Sequence, residues 1–77
     1  MEKQDKERFC MEMAKVLRAA WIVSTPVDAS QEKLDEANET VLFLLDGLKI
    51  LTMTFEPTEF HPLEKLEDEI YSCMMHE

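Results

Sequence analysis

An all-helical fold is what this sequence predicts, and three observations carry the prediction. Breakers are scarce: the 77 residues hold one glycine, Gly47, and three prolines, Pro26, Pro57 and Pro62. Folds rich in strands use Gly and Pro at many turns, so so few of them favour a small number of long helices. Apolar residues recur at three-and-four spacing through three separate stretches, which is the period of a helical face. Between those stretches lie only two short segments with turn chemistry. The expected fold is therefore a long antiparallel hairpin of two helices plus a shorter third helix, one domain spanning residues 1–77.

The first helix is expected over residues 3–23. Phe9, Met13, Val16, Leu17 and Ala20 share one face, and Cys10 and Trp21 widen it. Asp5, Arg8, Glu12 and Lys15 alternate in sign on the other side, a pattern that suits a solvated surface. Ser24-Thr25-Pro26 stops the helix, because a proline pushes the residue before it out of the helical region. Trp21, one turn earlier, is placed to close an end of the bundle with its indole N–H reaching a partner or water, an interface hot spot being the alternative role.

The second helix is expected over residues 29–55. Two N-terminal caps compete: Asp28 with Gln31 fits a capping box, and Ser30 is an equally good single cap. Leu34, Ala37, Val41, Leu44, Leu48, Leu51 and Phe55 then step by three and four without a miss, as in helices packed at a shallow angle. From Val41 onward Leu42, Phe43, Leu45, Ile50 and Met53 add apolar atoms on most other sides. A helix that is apolar all round must be covered all round. Gly47 sits inside this run at a cost of about 1 kcal/mol relative to alanine. It is either tolerated background or the point where another helix passes close.

Glu56-Pro57 is read as the end of that helix and Thr58–His61 as the connection. Pro62 would then open the third helix, residues 62–75, at the position where its missing N–H costs nothing. Leu63, Leu66, Ile70 and Cys73 form its seam, with Tyr71 and Met74 flanking. A strand over residues 49–55 would suit Ile50, Thr52, Thr54 and Phe55, but a single strand has nothing to pair with.

Two helices of one chain cover only two stripes of residues 41–55, and a second copy covers a third. The sequence thus predicts a homodimer whose interface includes Leu42, Phe43, Leu45, Gly47, Ile50 and Met53. A domain this short buries only about 60% of its unfolded surface, so association would also offset marginal stability.

The formal net charge is −9, and it gathers in the second and third helices. Such a chain is repelled by nucleic acid and by anionic membranes, so neither is an expected direct partner. No stretch is long and apolar enough for a membrane span, and the charged start does not resemble a secretion signal. A cytoplasmic protein with two free, buried thiols, Cys10 and Cys73, is the expectation.

Catalytic patterns are absent: a single glycine rules out a phosphate-cradling loop, and no nucleophile-elbow or His-Glu-x-x-His pattern occurs. Cys73-x-x-His76, with Cys10 and His61 as further ligands, is the one arrangement with zinc chemistry. Structural zinc sites use two tight ligand pairs, whereas Cys10 and His61 are isolated, so no metal and no cofactor is expected. The function that remains is a non-enzymatic protein-binding module, an adaptor, chaperone or regulatory subunit acting through a helix face or groove. An acidic inhibitor that mimics nucleic acid is the alternative. Its surface would be Glu32, Asp35, Glu36 and Glu39 on the second helix with Glu64, Glu67 and Asp68 on the third. Tyr71, Met74 and Met75 form a candidate docking patch at the C-terminal helix end.

Overall fold

The computed structural model describes residues 2–75, and within them the chain is three α-helices with no strand: α1 Lys3–Ser24, α2 Gln31–Leu51 and α3 Pro57–Met75. The bundle is elongated, 42 × 19 × 17 Å. None of its helices is long and apolar enough to cross a membrane.

Local chemistry explains each boundary. α1 ends where Thr25 folds back, its hydroxyl donating to the Trp21 carbonyl at 2.8 Å and its N–H to the Ile22 carbonyl. Ser30 prevails over Asp28 as the cap of α2: its Oγ accepts the Lys33 N–H at 3.3 Å, so the helix begins at Gln31 rather than Ala29. At the other end α2 stops four residues before Phe55. Residues 52–55 turn, with the Phe55 N–H donating to the Thr52 carbonyl at 2.8 Å. The turn carries Phe55 edge-on to Phe9 of α1, centroids 6.4 Å apart, with Lys6 Nζ 5.4 Å from the same ring.

The third helix corrects the expected start at Pro62. It opens five residues earlier, at Pro57, and Pro62 lies inside it. The N1 preference for proline was sound but belongs to Pro57, because Glu59 completes the cap. The Glu59 carboxylate, two positions further on, reaches back to accept the Glu56 N–H at 2.7 Å, one half of a capping box. Pro62 therefore removes the hydrogen bond that the Thr58 carbonyl would receive in a regular helix. Thr58 is exposed, so water can take that place.

Cys10, Ala14 and Leu17 of α1, Val41 and Leu45 of α2, and Leu63, Leu66 and Ile70 of α3 make the core. The most extensive packing is between α1 and α3 rather than between α1 and α2. That preference changes which faces point inward. Two helices alone would aim their best apolar stripes at each other; a third helix draws each of them toward a common axis. On α1 the inward line is Cys10, Ala14 and Leu17, leaving Val16 and Ala20 exposed. On α2 it is Asn38, Val41 and Leu45, with Thr52 at its C-cap. Val41 keeps its expected place, but Asn38, Leu45 and Thr52 each lie one residue past the expected Ala37, Leu44 and Leu51, leaving Leu44 47% and Leu51 75% exposed. On α3 Leu63, Leu66 and Ile70 are buried as expected, but Cys73 is exposed.

The rotated seam places two polar side chains inside, and both are satisfied. Asn38 Oδ1 accepts the Trp21 indole N–H at 2.7 Å, and the Thr52 hydroxyl donates to the Leu48 carbonyl at 2.8 Å. Among the described residues no buried side-chain polar atom lacks a partner.

Candidate functional site

The exposed flanks of the α1 and α2 stripes meet on one side of the bundle. Met13, Val16 and Leu17 from α1 and Leu44, Leu48 and Leu51 from α2 line a shallow groove of about 380 Å³, with Phe43 and Gly47 at its margin. Beyond that margin Phe43 and Ile50 stand 76% and 69% exposed, and Met53 is exposed in the following turn. These residues are apolar without interruption over two turns of α2. On the N-terminal side of Phe43 a separate, polar depression is lined by Glu36, Glu39 and Thr40.

Of the six residues expected at a dimer interface, Phe43, Gly47, Ile50 and Met53 lie on open surface. Leu45 does not. Its side chain is 0% exposed and belongs to the core of the single chain, and Leu42 is half-buried against that core. Both face α3 and α1 because the inward line of α2 is the rotated one. The face instead contains Leu44 and Leu51, which the periodicity of the sequence had placed inside. The signal for the exchange was present in Asn38 and Thr52: each sits one position after an apolar seam residue and has a partner within hydrogen-bond reach.

The acidic residues divide by environment. Glu32, Asp35, Glu36 and Glu39 are all exposed on α2, with Asp35 accepting a hydrogen bond from Gln31 at 3.0 Å. On α3 Asp68 is exposed and Glu64 half-buried, while Glu67 is tied to Lys49, its two oxygens 2.8 and 3.0 Å from Nζ. That bond raises the Lys49 ammonium above its usual pKa, helped by the nearby Asp46 and Glu64 and opposed by desolvation. Glu69, which the sequence reading passed over, holds Arg18 through both carboxylate oxygens at 3.0 and 3.2 Å. These two pairs join α3 to α2 and to α1.

Tyr71, Met74 and Met75, the candidate docking patch, are exposed. Met74 and Cys73 line a mixed cleft of about 590 Å³ with Trp21, Leu34, Asp35 and Asn38. Cys10, by contrast, is fully buried. Burial raises its thiol above the ordinary value, and the Glu59 carboxylate adds to the rise. A sulfur so placed is a small core hydrophobe, not a nucleophile. Both thiols are free. Among the described residues no three His, Cys, Asp or Glu side chains converge as a metal site would need, and His76 lies outside the described residues.

Comparison with protein-family models, with curated proteins and with solved structures finds no match for this chain.

Proposed function

We propose that this chain is a small, acidic, non-enzymatic protein-binding module that works through the apolar face of α1 and α2. One observation carries the reading. α2 and its C-cap bury Asn38 and Thr52 and leave Leu44, Leu51, Phe43 and Ile50 in the open. Contiguous apolar surface beyond a few hundred Å² is uncommon on soluble monomers and marks places where another protein sits. In this reading α1 and α2 act as the antiparallel hairpin expected from the sequence, supported by the pairing of Trp21 with Asn38 and of Phe9 with Phe55. Its outward side offers a helix-sized groove. An adaptor, chaperone or regulatory subunit of this kind needs no cofactor, and a cytoplasmic setting agrees with two unpaired thiols. Self-association through this face, expected from the sequence, is one form the binding takes.

The test is photo-crosslinking in the native host from a benzophenone side chain at position 43 or 50, against controls at Arg8 and Lys15 on the far side of α1. The expected result is a discrete protein adduct from the apolar face alone. Equal adducts from both sides, or none from either, would refute the reading.

Nucleic-acid mimicry keeps one supporting observation. Glu32, Glu36 and Glu39 are exposed on one arc of α2 and have no ion-pair partner among the described residues. On α3 the support is weaker, since Glu67 is engaged by Lys49. Binding that collapses between low and high salt would favour mimicry, whereas apolar docking is nearly indifferent to salt.

A further inference from the structure

A helix turns about 100° per residue, so positions three and four away in either direction share the face of a central residue. Around Gly47 those four positions are Phe43, Leu44, Ile50 and Leu51. All four are large and apolar, and they are between 47% and 76% exposed. The glycine thus lies at the middle of an apolar collar with the same kind of residue at each matching position on either side. A surface patterned symmetrically about one point of a helix is complementary to itself under a two-fold rotation through that point.

Nothing inside the chain accounts for a glycine here. Its φ is not positive, so no left-handed conformation calls for it. It lies four residues inside the end of α2, where it is no cap. A Cβ placed on it would meet nothing within 4 Å. A missing side chain at the centre of an exposed apolar collar instead lets a second helix backbone come close.

The area agrees with a second copy. Phe43, Leu44, Ile50 and Leu51 with their neighbour Val16 are 47–76% exposed. At about 150 Å² per large side chain they offer roughly 500 Å² per protomer, or roughly 1,000 Å² in all, the size of a weak, reversible interface. We propose that two copies of this chain pair through α2, crossing antiparallel at Gly47, with Phe43 of one protomer against Ile50 of its partner and Leu44 against Leu51. This rests on the protein-binding reading of the face and names its occupant. Charge selects the antiparallel sense: it carries the Glu32–Glu39 segments to opposite ends of the pair, where a parallel crossing would set them side by side.

The experiment is light scattering on the full chain at about 100 µM, a concentration that fills a micromolar dimer. The expected mass is twice the 9.0 kDa of one chain. Gly47→Leu adds a better helix former at an open position, so helicity by circular dichroism at about 1 µM should hold or rise. The same variant should weaken the dimer at least tenfold. Leu44→Lys and Leu51→Glu should each be monomeric alone and associate when mixed, because the antiparallel crossing sets position 44 against position 51 of the partner. A monomeric wild type at 100 µM, a dimer unmoved by Gly47→Leu, or mixed variants that stay apart would each overturn the proposal. If the wild type is monomeric yet position 43 still crosslinks to another protein, the occupant is that protein and the broader reading stands. If it crosslinks to nothing, both fall.

Discussion

Leu44 and Leu45 are adjacent, chemically identical and opposite in environment, which makes them a direct test of how α2 is turned. Leu45 is 0% exposed and packed among the core residues of all three helices, whereas Leu44 is 47% exposed at the groove. Leu45→Ala removes a fully buried isobutyl group, and such changes cost about 2–5 kcal/mol through lost transfer energy and the cavity left behind. A 77-residue domain has a total stability of about 4–12 kcal/mol at the usual per-residue value. The change should therefore remove about a sixth of it or more and lower Tm by at least roughly 8 °C, at about 4–8 °C per kcal/mol for a domain of this size. Leu44→Ala should cost under about 1 kcal/mol in the monomer, since half of the side chain is already in water. Urea unfolding followed by circular dichroism at about 1 µM separates the two, and repeating it at about 100 µM separates folding from association. The Leu45→Ala loss should be the same at both concentrations, and the Leu44→Ala loss should grow at the higher one. Equal losses at low concentration, or a larger one for Leu44→Ala, would show that α2 faces the core with the seam read from periodicity.

Three further outcomes follow from particular contacts. Pro62→Ala should raise stability by about 1–3 kcal/mol in urea unfolding, because it restores the bond to the Thr58 carbonyl inside α3; a loss would return Pro62 to a helix start. Asn38→Leu should cost about 1–3 kcal/mol and shift Trp21 fluorescence, since the indole N–H loses its acceptor in a partly buried site; an unchanged spectrum would show that the bond does not persist. Alkaline pH should destabilise the fold. The folded chain keeps the Cys10 proton past pH 9.0 and the Lys49 proton past pH 10.5, where the unfolded chain releases both. The unfolded state then binds fewer protons, so stability falls as pH rises through that range. Cys10→Ala should remove the earlier part of the fall, and a pH profile identical to wild type would refute the assignment.

The set of helices could be read from the residues alone, because three-and-four periodicity and the scarcity of breakers are local properties of the chain. The stop at Thr25-Pro26, the candidate cap Ser30, the seam Leu63–Leu66–Ile70 and the bonded indole of Trp21 were all legible in it. The candidate site was legible only in part: of the residues read from the sequence as an interface, Phe43, Gly47, Ile50 and Met53 are exposed, whereas Leu45 is in the core. The tertiary structure decided the rest. Which proline opens α3 depended on a side chain, Glu59, reaching back to the Glu56 N–H. Where α2 stops depended on Phe55 swinging onto Phe9, some 46 residues away in sequence. Whether Leu44 or Leu45 lies inside depended on α3, because a helix apolar on most sides has no preferred direction until its neighbours supply one. With α3 packed chiefly on α1, α2 turns one residue toward their shared axis, buries Asn38 against Trp21, and leaves Gly47 and its collar facing outward.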